Sequence, residues 1–433
     1  MNRPSTLFDQ PPAAEAAIEP HSAFLVRAAS AREAGDDRGA ELALGAYLTL
    51  RAVDRAAALG ADAPADLREG FHFQAQAALK FVDRLPRIGE VEANHLEGIA
   101  RALTELDGKG ERRLRINLLA YSWHLEQAGQ VEEAVDALAT SEPFYRSAGH
   151  DELMNLGMTA GRFHRTLAHW ELADRGYALG YDSAEARQDV RGMLLARLGR
   201  AKVLLGRGNL PEARRQMEGI IAEAEGKELA EVRAWAYADL AVTFEKQGLL
   251  WEGLRANYEA FRYFRDSQDR ARVLSSLGVA LRSVGALIAA KNAFESVLRS
   301  TTNWYLAANA KVELIAVAVD LNDEMMFHRF WRAAGEHVDL MAPSLGVDYR
   351  FKVASGLMSF GRQKPAAKWF ADARLLAEQH GLNEWYFRIL DAESKHSAEQ
   401  DPLTAPSIIG NEATVDEIEK GLREYAEALV SQP

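Results

Sequence analysis

The chain has 433 residues, 48% of them apolar and 26% charged, which is ample material for folded cores in one array or several domains. Its 51 basic and 63 acidic residues leave a net charge of −12, arguing against a broad nucleic-acid or anionic-membrane surface, both of which need a basic face. The lack of cysteine excludes disulfides, thiol catalysis and cysteine-bound zinc, and fits a reducing compartment.

In chain order, residues 1–21 are rich in Pro and Ala, lack a charged-then-apolar leader pattern, and read as a disordered lead-in. His21 and Ser22 open a helix carrying Phe24, Ala28 and Ala31 that stops at Gly35. A second helix follows, with Leu44, Tyr47, Leu48 and Val53 at helical spacing. Asp66 is placed to cap the third, which carries Phe71, Ala75, Ala78 and Val82 and ends before Pro86. A fourth runs from about Val91 to Leu106, and Asp107-Gly108-Lys109-Gly110 signals a turn. From Arg112 to His396 helical hairpins recur with little sign of strand alternation. No apolar run approaches the ~18 residues needed to cross a bilayer, and a cytoplasmic location is expected.

One device returns along the chain. A helix ends in Gly or a substitute, and five residues later a residue, usually small, opens the next apolar stretch. The pairs are Gly35/Ala40, Gly129/Ala134, Gly208/Ala213, Gly248/Gly253, Gly285/Ala290, Asn322/Phe327 and Gly361/Ala366. From Gly208 the steps are 40, 37, 37 and 39 residues, a period that marks a solenoid. Ala173 keeps the phase, but Ala168 stands where its Gly is expected. A left-handed residue ends and reverses a helix at no cost when it is Gly, and Asn is the next most tolerant.

The unit Leu274-x-x-Leu277-Gly278-x-x-Leu281, then Gly285, then Ala290-x-x-x-Phe294, resembles a tetratricopeptide repeat. Ala366-x-x-x-Phe370 repeats the second half. The units are longer than the usual ~34 residues, as in the helical sensor arrays of bacterial transcription activators and peptide-responsive regulators. The resemblance implies an all-α fold, a right-handed superhelix of antiparallel helix hairpins, covering residues 22–396. Residues 22–111 read as degenerate N-terminal hairpins, 112–396 as regular repeats, 397–413 as a linker and 414–431 as an amphipathic capping or docking helix.

Catalytic signals are missing. His164 and His169, five apart, do not share a helix face, and there is no His-Glu-x-x-His. Gly206-x-Gly208 follows a helical run rather than a strand, so it fails as a dinucleotide fingerprint. Phosphate-loop and nucleophile-elbow patterns do not occur. Lys109, Arg112, Arg113 and Arg115 form a short basic run that reads as a solvated helix start. No enzyme activity, cofactor or metal is therefore expected.

The resemblance implies that the first helix of each unit lines the concave face. Eleven residues before the small residue stand Trp123, Arg162, Lys202, Val242, Val279, Ala316 and Ser355. Eight before it stand Glu126, Arg165, Leu205, Glu245, Arg282, Val319 and Met358, and Met158 lies one turn before Arg162. Arg162, Arg165 and Lys202 form a basic spot in an acidic chain. Together with Trp123 and Met158 they are the expected peptide-binding residues, suited to an acidic segment or a C-terminal carboxylate. The competing expectation is pairing of these cations with local Glu and Asp. The sets contain no Asn, so chaperone-tail binding is not implied.

Thr414-x-x-Glu417 is a capping box, and Val415, Ile418, Leu422, Tyr425 and Leu429 step three and four along an acidic helix. This seam must dock somewhere: as an end-cap, on a partner, on the basic groove, or on a second copy by self-association. The expected function is a scaffold binding a protein or peptide segment without direct contact to nucleic acid or membrane. The alternative is a peptide-responsive signalling or transcription regulator lacking its own DNA-binding domain.

Overall fold

A computed structural model of the chain describes residues 20–59, 64–85, 91–106, 108–397 and 411–430. The expected lead-in and linker lie almost wholly outside these residues. Among them there is no strand, and the elements are helices α1 (Ser22–Glu33), α2 (Asp37–Ala58), α3 (Ala65–Val82), α4 (Val91–Thr104), α5 (Gly108–Gln127), α6 (Val131–Ser141) and α7 (His150–Thr166). They continue as α8 (Trp170–Ala186), α9 (Val190–Gly206), α10 (Leu210–Glu225), α11 (Ala230–Lys246), α12 (Leu250–Tyr263), α13 (Ser267–Ser283) and α14 (Leu287–Ser300). The last are α15 (Trp304–Asp320), α16 (Glu324–Gly335), α17 (Pro343–Ser359), α18 (Gln363–Gln379), α19 (Asn383–Ser397) and α20 (Glu412–Val430). No helix among the described residues is long and apolar enough to cross a membrane. The chain divides into two compact units, one ending at Gln216 and one starting at Met217, so the division falls inside α10.

Consecutive helices pack as pairs: α5 on α6 and α7 on α8 in the first unit, α11 on α12, α13 on α14, α15 on α16 and α17 on α18 in the second. First helices also touch the next first helix, α7 on α9, α13 on α15 and α15 on α17. This is the stacking of an α-solenoid.

The expected turn residues do the reversing. Gly285 has φ +84, and after α13 its N–H donates to Arg282 O at 3.0 Å while that of Ala286 donates to Leu281 O at 2.9 Å. This pairing satisfies the last carbonyls of the helix. Asn322 fills the same slot with φ +54. Ala168 does so with φ +57 and carries the Cβ penalty. Ala168→Gly is therefore expected to stabilise the first unit by about 1 kcal/mol, read as a rise in thermal midpoint.

The small residues that open the second helices, Ala134, Ala173, Ala213, Ala290 and Ala366, are fully buried. Phe327 breaks the pattern and is also fully buried. Its ring has room because residue 356 on α17 is Gly: a Cβ there would lie 2.2 Å from the ring.

Some local expectations need correction. Asp66 is not the cap of α3; the cap position is Pro64, and Asp66 lies in the first turn, where a carboxylate favours the helix dipole. The Gly108–Gly110 stretch, expected as a turn, opens α5. In the basic run, Arg112 and Arg113 keep exposed side chains at the start of α5, as expected, and Arg115 departs from that expectation. Arg112 and Arg115 reach Glu152 at 3.6 and 2.8 Å, Arg113 pairs with Glu105, and Arg115 is buried.

Helix α1 buries only Phe24 and Ala28, and charge secures it. Arg27 donates to both Glu92 oxygens at 2.9 and 2.7 Å and lies 3.1 Å from Glu133, while Tyr121 donates to Glu92 at 2.8 Å. The two ring nitrogens of buried His21 stand 3.0 Å from Asp54 and 2.7 Å from Asp136. These contacts tie α1 to α2, α4 and α6.

Candidate peptide-binding face

In the first unit the face is built on α5, α7 and α9. Trp123 on α5 packs edge-on against Phe163 of α7, with ring centroids 5.7 Å apart. The Arg162 guanidinium lies over the Trp123 ring at 4.6 Å, a cation–π geometry. It also donates from Nη2 to Glu126 Oε1 at 2.6 Å. Arg162 is thus held between an aromatic face and a carboxylate, and remains 43% exposed.

Arg165 lies one turn further along α7, on the same side, because residues three apart are neighbours on a helix. It is half-buried, and its Nε is buried without a hydrogen-bond partner. Lys202, half-buried on α9, already interacts within the chain. Met158 packs in the cluster of Ala173, Tyr177, Val203 and Trp170. Of the expected peptide-binding residues, the structure brings Trp123 and Arg162 into contact. Its two expectations for the basic spot divide by residue: Arg162 takes the local carboxylate Glu126, and Arg165 does not.

In the second unit the same register shows a different character. Val242 on α11 and Val279 on α13 are each 40% exposed, whereas Ala316 is buried and Ser355 half-buried. Arg282 pairs with Asp320 on the neighbouring first helix. The exposed side there is apolar, edged by charge that is already paired.

A further cleft in the first unit, of about 460 Å³, is lined by Asp174, Tyr181, Arg197, Arg200, Leu204 and Gln216. Arg200 closes a two-pronged pair with Asp174 at 2.8 and 3.2 Å. Residues 200 and 202 lie roughly 200° apart around α9, so this cleft is not the Lys202 side.

His164 and His169 do not share a helix face, as their spacing implies, yet they meet. The Ala168 turn folds His169 back, leaving the two Nδ1 atoms 3.5 Å apart. Burial, and then the neighbouring imidazole, push His164 down to about 4. Sequence spacing missed this pair because five residues span a reversal rather than a helix. Among the described residues no group of three His, Cys, Asp or Glu is placed to hold a metal ion.

The repeat motif has a physical basis in α13 and α14. A Cβ at Gly278 would stand 2.7 Å from the Phe294 ring, so the Leu-Gly of the first helix exists to admit the Phe of the second. The units are helix hairpins that resemble tetratricopeptide repeats in this packing. No protein-family model matches the chain, and the search of curated proteins finds no match. Among solved structures the tetratricopeptide-like array is similar to a Rap protein complexed with competence and sporulation factor, at 11% identity over 84% of this chain and 100% of that one, with a TM-score of 0.47. It is similar to the apo form of the quorum sensor NprR from B. thuringiensis at 11% identity, covering 82% of this chain and 97% of that one, TM-score 0.47. Similarity to the apo form of RapI is 9% identity over 61% of this chain and 99% of that one, TM-score 0.45.

Proposed function

We propose that the chain is a non-enzymatic tetratricopeptide-like scaffold whose first-helix faces bind a peptide or an extended protein segment. The observation that carries this reading is Arg165, a half-buried guanidinium whose Nε has no hydrogen-bond partner, beside an Arg162 pre-ordered on Trp123. A partly desolvated guanidinium gains most from a carboxylate, which it binds through two parallel hydrogen bonds. The ligand class is a peptide offering an acidic side chain or its C-terminal carboxylate to Arg165 and an apolar or aromatic residue beside the half-buried Trp123.

The test is a peptide array with free-acid and amidated C-termini, followed by fluorescence anisotropy on the hits. Bound peptides are expected to be acidic or to need a free C-terminus, and Arg165→Glu should weaken them at least tenfold, about 1.4 kcal/mol. Arg162→Glu should weaken them too, since it meets Glu126 with a like charge. An unchanged bound set and unchanged affinities in Arg165→Glu would remove this face from the function.

A further inference from the structure

Helix α20 does not sit at an end of the hairpin series. It lies on second helices in the middle of the second unit, packed on α14 and in contact with α12. Its seam residues Val415, Ile418 and Leu422 are buried in that unit's main apolar cluster. Tyr425 meets Phe261 edge-on at 5.3 Å. Arg270, from the start of α13, lies between those two rings, 4.8 Å from Phe261 and 4.4 Å from Tyr425. Close approach is built in, because a Cβ at Gly421 would stand 2.3 Å from the Tyr258 hydroxyl.

Polar contacts also join α20 to α12. Arg255 donates to Asn411 Oδ1 at 3.3 Å and to Thr414 Oγ1 at 3.4 Å, and Tyr258 donates to the Glu417 carbonyl at 3.4 Å, all in exposed positions. The helix carries six acidic residues and two basic ones. On α12, Arg255, Tyr258 and Arg262 fall along one stripe, Arg262 paired with Glu259 of the same helix at 2.9 Å, and Arg270 lies beside them. Shape and apolar spacing match one ligand form, an amphipathic helix, and the nearby Arg255 and Arg270 favour an acidic one.

We propose that the α12–α14 surface is a helix-docking site, that α20 is its resident occupant, and that an acidic amphipathic helix of a partner protein, with apolar residues spaced three and four apart, takes it in exchange for α20. The resident helix shows what the site selects. This is the helix-in-groove mode of recognition, on a surface separate from the first-helix faces. Because α20 belongs to the same chain it is a strong competitor, since covalent linkage supplies an effective concentration near millimolar.

The probe is a fluorescein-labelled peptide of residues 411–430. In the full chain carrying Ile418→Asp and Leu422→Asp, which releases α20 while leaving the receiving helices intact, the probe is expected to bind with micromolar Kd. The unaltered chain should bind it roughly 100-fold more weakly. The same two changes in the probe should abolish binding, and adding Arg255→Glu with Arg262→Glu to the released chain should weaken it at least tenfold. A released chain with wild-type helix content that leaves the probe free overturns the proposal, as does equal binding by the unaltered chain. If the released chain does not fold, a protease site inserted between residues 398 and 410 replaces it. After cleavage the resident helix should exchange with the probe, and failure to exchange overturns the proposal. A concentration-dependent dimer of the unaltered chain, dispersed by Leu422→Asp, also overturns it by making a second copy the occupant.

Discussion

Gly176→Ala is expected to lower the stability of the first unit by about 3 kcal/mol, the upper part of the range for overpacking. Helices α7 and α8 cross with almost no side chain between them. A Cβ at Gly176 would lie 2.5 Å from the Gly161 nitrogen, and one at Gly157 would lie 2.6 Å from the Gly176 carbonyl oxygen. Both obstacles are backbone, which cannot rotate away as a side-chain tip does. The two helices must therefore separate, and Ala173 and Tyr177, which pack beside the crossing, lose contact with α9. Urea unfolding at neutral pH measures this. Gly70→Ala is the control, because it lies inside α3 with nothing within 4 Å of the added Cβ. That change should stabilise by about 0.5–1 kcal/mol. If the two substitutions have equal effects, the α7–α8 contact is not as close as described.

Arg27→Ala should cost about 3–5 kcal/mol near pH 8, because it leaves two buried carboxylates without their shared cation. Glu92 and Glu133 are 9% and 7% exposed. Burial pushes the Glu133 carboxyl up to about 7, with Arg27 opposing and the Glu92 charge adding to the rise. Burial also disfavours the Glu92 anion, but the hydrogen bonds from Arg27 hold that carboxyl below its usual value. The folded state thus prefers Glu133 protonated. Its contribution to stability is complete below about pH 4.5 and is lost as pH rises through about 7. Glu92 acts in the opposite sense, and only on the acid side of its usual value. Glu133→Gln should therefore leave stability at pH 4.5 nearly unchanged and raise it at pH 8 by roughly 1–3 kcal/mol, several degrees in thermal midpoint. In Arg27→Ala the penalty should shrink from pH 8 to pH 5 as the freed carboxylates take up protons. A penalty independent of pH would show that lost packing, not unpaired charge, is the cause.

These effects mark where sequence reading reaches its end. The turns were legible because each depends on one residue's φ: Gly285, Asn322 and Gly361 announce a left-handed stop with no help from distant contacts. Hairpin pairing was legible because turns of a few residues force neighbours together. The pair Trp123 and Arg162 came from the repeat register alone, since equal positions on successive first helices must stack. Glu126 stood in the register one turn further on, with Arg165, and was not recognised as Arg162's partner. Sequence gives position along a helix, whereas the choice among nearby carboxylates depends on side-chain reach. Glu133 and Arg27 are over a hundred residues apart, and no periodicity links them.

The seam of α20 was visible as Val415, Ile418, Leu422 and Tyr425, together with the requirement that it be covered. Its address on α12 and α14 was not, nor was the room that Gly356 leaves for Phe327. That the chain is α-helical, where most of its helices reverse, and which face of each helix is apolar were all readable from the order of residues. Those properties follow from dihedral preference and spacing within one or two turns. Which charges are neutralised, how closely α7 and α8 approach, and where the last helix lies emerge from the three-dimensional packing. Each of these is settled by distances between residues far apart in the chain, and a free apolar face accepts any complementary surface until the fold presents a particular one.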